Sequence, residues 1–395
     1  MLTPEYLVTV SDEVVKIFAE AEREIVDDIA RRIVKMNYYT ETAMWQTEKI
    51  KQFGGLQGDV KRILAKATGK SQKELSRIMK EAAEKGLSFD DAIYKAAGFT
   101  PAALAQSPAL LAIVLQGRDS ALALLNNYTK TTAQTATKAF NDTLDRALIQ
   151  IINGTQSPTT AIKNAVNTIA KVGMEKVAYP SGVISSLENA VKRAILTGTN
   201  QTVAKLQEAR ADEMGTDLVE VTSHSGARPT HAEWQGGIYS LKGSTKGYRT
   251  LADACGYGSG DGLCGWNCYH NFYPYFLGLS SKSFSRDPSK DDGKDNNEQY
   301  EQQQKQRYYE RQIRYAKKEV QALGSAIEVA KNEELAAAFK EDFDRASLKL
   351  SNRKGALDQF IRQTQRTKLP ENENIAGWNQ SIAMKAVWGA RRAAN

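Results

Sequence analysis

Between Val10 and Ile33 the apolar residues fall three and four apart: Val10, Val14, Ile17, Phe18, Ala21, Ile25, Ile29 and Ile33. That spacing puts them on one side of an α-helix, a period that a half-buried strand does not have. Ser11, followed by Asp12 and Glu13, is the expected N-cap, with acidic residues where the helix dipole favours them. The same texture continues to residue 214. Helices are expected over about 57–67, 71–85, 88–97, 101–117, 119–151, 158–175 and 183–214. The expected breaks are Gly69–Ser71, Gly86, Gly98 with Pro101, Gly154, Ser157-Pro158 and Tyr179–Gly182. β-Branched alternation is nearly absent, so residues 1–214 read as an all-helical domain.

The pattern changes at Gly215. Leu218–Thr222 alternates in the manner of a strand, and Gly237–Leu241 can pair with it. Residues 215–281 are dense in glycine and aromatics and read as a small, loop-rich α+β module. Residues 282–298 carry Ser285–Asn297, a polar run without a large apolar side chain, and are expected to be a flexible linker. Beyond it Ile313, Val320 and Ile327 are seven apart, with Ala316, Leu323 and Ala330 beside them. A second stripe runs through Leu335, Phe339, Phe343, Ala346, Leu350, Leu357 and Phe360. Two such helices separated at Asn332 predict an antiparallel hairpin within a basic helical tail, residues 299–395. The fold class expected is therefore mainly α: a long helical N-terminal domain, a Cys/His module and a C-terminal helical hairpin.

Charge and cysteine content narrow the function. Lys and Arg total 53 against 46 Asp and Glu, a net +7. This mild excess lies mostly beyond residue 299, where Arg311, Arg314, Lys317 and Lys318 cluster among tyrosines. These four are the candidate contacts to nucleic acid, which would be sequence-independent and salt-sensitive; the simpler reading is a solvated helix face. Three cysteines do not make a disulfide-stapled scaffold. No basic region followed by an apolar one opens the sequence, so no secretion signal is expected. The most apolar run, Pro108–Leu115, is shorter than the ~20 residues that span a bilayer, and no membrane is expected as a partner. The chain reads as soluble and made in a reducing compartment.

All three cysteines (Cys255, Cys264, Cys268) and all three histidines (His224, His231, His270) lie between residues 224 and 270. Cys264-x3-Cys268-x-His270 has ligand types and a spacing compatible with zinc, and His231 or Cys255 would complete a tetrahedral set. His231, Cys264, Cys268 and His270 are the candidate ligands of a structural Zn²⁺. Against this, His270 follows Cys268 too closely for easy joint ligation, and buried core cysteines are a competing reading. A Cys–His hydrolase is conceivable in the same module, but no oxyanion or phosphate-binding motif accompanies it, and no catalytic residue is assigned.

Two blocks carry a resemblance. His224-Ser-Gly-Ala-Arg-Pro-Thr-His-Ala-Glu-Trp-Gln-Gly236 contains Arg-Pro-x-His-x-x-Trp-x-Gly. Gly262-Leu-Cys-Gly-Trp-Asn-Cys-Tyr-His-Asn-Phe-Tyr-Pro274 contains Cys-x3-Cys-x-His and ends in aromatic-Pro. Together they resemble the signature of the phage minor capsid protein 2 family, itself similar to Mu F-type head morphogenesis proteins of tailed bacteriophages. The order of helical half, Cys/His module and Tyr/Gln/Arg-rich tail is similar along most of the chain. One departure is the absence of a second proline before Gly278.

The resemblance implies a structural minor head protein, not an enzyme, made in the bacterial host cytoplasm and carried in the virion near the portal vertex. Its implied partners are the portal protein and the major capsid or scaffold proteins. Its implied role is head assembly or genome delivery. A DNA-binding ejection protein is the alternative, as is a metal- or Cys–His-dependent hydrolase. Some relatives carry a C-terminal toxin, for which residues 299–395 show no active-site constellation.

Within the module Arg228, Pro229, His231, Trp234 and Gly236 are the expected binding or structural residues. Arg228 offers a guanidinium fork to a salt bridge or a partner, and Pro229 fixes the turn that aims it. Trp234, Trp266, Phe272 and Tyr273 are the expected small core, with Gly236 and Gly265 allowing close approach.

Overall fold

The computed structural model describes residues 1–39, 41–172, 177–178, 184–291, 293 and 295–395. In chain order the elements are α1 (Pro4–Thr9), α2 (Asp12–Lys35), α3 (Thr42–Ala96), α4 (Pro108–Ile152), α5 (Pro158–Val172), β1 (Val177–Ala178), β2 (Ile184–Ser185) and α6 (Leu187–Glu213). There follow β3 (Leu218–Val221), α7 (Pro229–Ala232), β4 (Ile238–Ser240), α8 (Leu251–Cys255), β5 (Phe272–Pro274), α9 (Pro288–Asp291), α10 (Asn296–Val329), α11 (Glu333–Thr364) and α12 (Gln380–Ala394). The fold is mainly α, as the periodicity predicts. The expected break at Tyr179–Gly182 lies outside the described residues.

The helices are fewer and longer than glycine punctuation suggests. α3 runs unbroken for 55 residues through Gly69 and Gly86, and α4 for 45 through Gly117. At Gly86 and Gly117 the reason is packing, whereas a Cβ on Gly69 would meet nothing within 4 Å. A Cβ on Gly86 would sit 2.6 Å from Val203 Cγ1, and one on Gly117 would strike the Thr202 side chain. These glycines admit the close approach of α6, and that contact outweighs the roughly 1 kcal/mol that glycine costs a helix interior. Gly98 and Gly154 do end helices, with φ of 89° and 64°. Ser157 caps α5 through Thr160 N at 3.2 Å. Ser11, by contrast, precedes α2 but its buried Oγ has no hydrogen-bond partner among the described residues, so it is no side-chain cap.

Contacts group the chain into two units, each drawn from three stretches of sequence. One comprises Met1–Val15, Lys70–Asn126 and Asn189–Gln303; the other comprises Lys16–Gly69, Asn127–Glu188 and Gln304–Asn395. The compositional boundaries at 214, 281 and 298 do not delimit these units, because α2, α3, α4, α6 and α10 contribute residues to both.

In the first unit a three-stranded antiparallel sheet has the order β4-β3-β5. Val219 stands opposite Tyr239 on one side, and Glu220 opposite Tyr273 on the other. The strand expected at Leu218–Thr222 and its pairing with Gly237–Leu241 are present; β5 is the addition. All four residues of β3 are buried, Glu220 included. The segment expected to be a linker has fixed partners here. Ser283 and Phe284 donate their backbone N–H groups to Glu220 at 2.9 and 2.8 Å, and Ser289 is buried. Composition counts side chains and misses such backbone donors.

α4 carries an apolar window long enough to cross a membrane by length and composition, of which 22% is buried. The run that stops at Leu115 in sequence terms continues as one helix past Arg118 and Asp119. Leu111, Leu115 and Leu124 are exposed.

In the second unit α10 and α11 form the expected antiparallel hairpin. Lys349 pairs with Glu319 at 2.8 Å, Arg353 donates to Gln312 O at 2.6 Å, and Tyr309 rests on Phe360 at 5.4 Å between ring centres. Asn332 caps α11 through Leu335 N. Ile313, Ala316, Val320 and Leu323 are buried, and so is every member of the second stripe. The seam ends sooner than its heptads, at Ala326, with Ile327 and Ala330 half-buried. α12 folds back on α11, where Arg392 holds Asp344 at 2.6 Å.

Candidate functional site

The Cys/His module is built on the sheet and on one face of α6, all within the first unit. Its core joins Ala204 of α6 to Val219, Val221, Trp234, Tyr239, Leu251, Cys255, Leu263, Cys264, Cys268 and Phe272. Arg228 follows a turn at Ser225 and Gly226 and stands at the N-cap of α7, and Pro229 opens that helix at the position where its missing N–H is harmless. That single turn carries His231 inward, and the turn that follows it buries Trp234. Gly236 then turns the chain in the left-handed region, φ 60°, against Ser285, whose carbonyl carbon would lie 2.7 Å from any Cβ there.

The second block follows α8 and leads into β5. Leu263 N bonds Cys255 O at 2.9 Å, and Cys264 and Asn267 adopt left-handed backbone angles with φ of 58° and 53°. L-Residues tolerate these at some cost, and here the tight path brings Cys268 and His270 beneath α7. α6 fixes the result. Asn200 Nδ2 donates to Cys268 O at 3.2 Å and to His270 O at 2.9 Å, and its Oδ1 accepts Asn271 Nδ2 at 2.8 Å.

His231, Cys268 and His270 converge. Cys268 Sγ is 3.7 Å from His231 Nδ1 and 3.7 Å from His270 Nδ1, and all three side chains are buried. His231 Nε2 faces Asp261 O at 2.8 Å, and His270 Nε2 faces Gln235 Oε1 at 2.9 Å. The ring of His224 stacks on His270 at 4.5 Å, and Trp234 closes the other side at 4.9 Å. Burial holds both His231 and His270 below the ordinary imidazole range, the latter well below it, and pushes the Cys268 thiol up to about 11. Neutral imidazoles and a protonated thiol are the result at neutral pH without an ion.

Of the four ligands expected from sequence, Cys264 stands apart. Its Sγ faces His270 O at 3.6 Å, inside the apolar core, and burial raises its thiol well above the ordinary value. Cys255 is likewise in the core, pushed up to about 12 by burial. Two of the four expected core residues are corrections: Trp266 is 60% exposed, and Tyr273, though buried, packs against Phe89 and Phe284 outside the small core, which Trp234 and Phe272 do enter. Arg228 forms no salt bridge within the module but donates to Trp266 O at 3.2 Å, leaving the guanidinium at the surface beside Trp266.

Sequence reasoning passes over Asn200, Gln235 and Asn271. Gln235 sits inside the Trp-x-Gly element as its variable residue. Asn200 lies in Thr197-Gly-Thr-Asn-Gln-Thr202, a polar run in mid-helix that helix propensity disfavours, and that conflict was its only signal.

The nucleic-acid candidates lie in the second unit and are largely engaged within it. Arg314 meets Glu188 at 3.3 Å and the carbonyl of Asn372. Lys317 is buried, donates to Glu373 O at 2.7 Å, and is lowered to about 8 by burial. Lys318 pairs with Glu22 at 3.0 Å. Arg311 lies over the ring of Tyr308 at 5.8 Å and is half-buried.

Fold and site together define a mainly helical protein that carries a hydrogen-bonded Cys/His module in its first unit. Comparison with known proteins agrees. The profile of the family described as "Phage minor capsid protein 2" matches residues 2–362. A protein described as "Structural protein" from Lactococcus phage LL-H is 25% identical over 298 residues, covering 71% of this chain and 78% of that protein. No solved structure matches. The chain belongs to the phage minor capsid protein 2 family, and so to the structural proteins of the virion.

Proposed function

We propose that the protein is a non-enzymatic minor component of the phage head, seated inside the capsid near the portal vertex, where it acts in head assembly or genome delivery. The observation that carries this reading is α4. A helix whose apolar window is only 22% buried in the isolated chain is a surface made for a partner. In a virion protein the occupants at hand are the portal and the capsid or scaffold proteins. The module supports a structural role: its three thiols are buried, as are His231 and His270, so no thiol among the described residues is presented to substrate as an activated nucleophile. The DNA-binding alternative has less support, because Arg314, Lys317 and Lys318 are held by internal partners.

The experiment is site-specific photo-crosslinking from position 115 in assembling procapsids. Crosslinks to the portal protein are expected. Normal incorporation with crosslinks to the major capsid protein alone would move the protein away from the portal. Retention of incorporation after Leu111→Asp with Leu115→Asp would remove α4 from the interface.

A further inference from the structure

We propose that His231, Cys268 and His270 bind one divalent transition-metal ion, zinc by the chemistry of its donors, through Nδ1, Sγ and Nδ1, and that Cys264 is not a ligand.

Distance comes first. Both Sγ–Nδ1 separations are 3.7 Å, and all three ligand atoms lie within 4.8 Å of one another. Bonds of about 2.3 Å to sulfur and about 2.0–2.1 Å to nitrogen imply a tetrahedral S···N edge of about 3.6 Å. Both S···N edges therefore have the length that one shared tetrahedral ion requires, and the three ligand atoms are close enough together to face it. The short spacing of Cys268 and His270, an obstacle in the sequence, is resolved by the use of Nδ1, the ring nitrogen nearer the backbone.

Tautomer comes second. Asp261 O is a carbonyl and only accepts, so His231 carries its proton on Nε2. Gln235 Oε1 already accepts the backbone N–H of His224 at 3.1 Å, which fixes that atom as the amide oxygen. His270 therefore also carries its proton on Nε2. Both Nδ1 lone pairs are left pointing at one sulfur. A single S–H can satisfy one of them, and a cation satisfies both together with the thiolate. Ligating histidines commonly donate their second ring N–H to a carbonyl in this way.

The sulfur is prepared as well. His270 N–H points at Cys268 Sγ at 3.4 Å, a donor that favours thiolate, while Asn200 pins the carbonyls of both residues. Cys264 Sγ is directed instead at the His270 carbonyl. Two imidazoles and one thiolate suit zinc, with the fourth position left to a non-protein ligand such as water.

The test uses the full chain, expressed with zinc in the medium and dialysed without chelator. About one zinc per chain is expected by elemental analysis. Cobalt substitution should give a thiolate-to-metal charge-transfer band in the near ultraviolet. Cys268→Ser and His270→Gln should lose both signals, and Cys264→Ser should keep both. Gln235→Ala should keep the ligands but weaken zinc affinity about 10–100-fold in a chelator competition. Folded wild-type protein that takes up neither zinc nor cobalt overturns the proposal, whatever the variants do. Loss of the cobalt band in a folded Cys264→Ser protein overturns the ligand assignment.

Discussion

The Tyr273 hydroxyl donates to the Glu220 carboxylate at 2.6 Å, across the β3–β5 pair and out of reach of water. Glu220 also accepts from Ser283 and Phe284, so one buried carboxylate ties the central strand to the chain leaving the module. Glu220→Ala would strand three donors and is expected to destabilise the protein by roughly 3 kcal/mol, the scale for breaking a buried charged network. Denaturant unfolding measures it. A loss under about 1 kcal/mol would mean that water replaces the carboxylate.

Asp90 makes stability depend on pH. Its carboxyl is buried, with Gln207 Nε2 at 3.0 Å, and burial raises it from 3.8 to about 8. The native state then keeps a proton that the unfolded chain releases, so this contribution is full below about pH 4 and is lost as pH rises through 8. The slope approaches about 1.4 kcal/mol per pH unit for one proton. Asp90→Asn is expected to flatten the pH 4–8 profile of urea midpoints. An unchanged slope would show that Asp90 is ionised in the native state.

Two tryptophans of the paired motifs should behave oppositely. Trp234 is buried between His231 and His270, and Trp234→Ala is expected to cost about 3–5 kcal/mol. Trp266 is exposed, and Trp266→Ala should stay within about 0.5 kcal/mol of wild type. Thermal melts of the pair separate them. Equal losses would place Trp266 in the core.

Lys318 offers a decision about DNA. Its ammonium pairs with Glu22, which is buried. Lys318→Ala is expected to lower stability by roughly 3 kcal/mol by leaving that carboxylate unpaired, and to leave low-salt retardation of duplex DNA unchanged. Reduced retardation at an unchanged melting temperature would restore Lys318 as a phosphate contact.

Legibility followed the range of the interaction. The stripe from Leu335 to Phe360 is buried residue for residue, because local period alone decides which side of a helix is apolar. Ser11 illustrates the opposite: a favourable cap by type, its Oγ makes no cap bond. Gly86 reads as a break, and a helix end is expected at 117, because the chain alone does not show that Val203 and Thr202 will press against Gly86 and Gly117. Glu220 lies at a polar position of an alternating strand, yet it is buried because Ser283 and Phe284, some sixty residues on, supply its donors.

By itself the sequence determined the helical class, the strand pair, the hairpin and the confinement of cysteine and histidine to one small module. Those follow from periodicity and residue type, which act over a few residues. Only the tertiary structure decided which thiol meets the imidazoles. Cys264 and Cys268 are equivalent in the motif, but left-handed turns at Cys264 and Asn267, together with Asn200 reaching from α6, aim one sulfur at two Nδ1 atoms and the other into apolar packing. A spacing fixes how far apart two side chains can be, whereas the direction of each is set by the backbone and its distant partners.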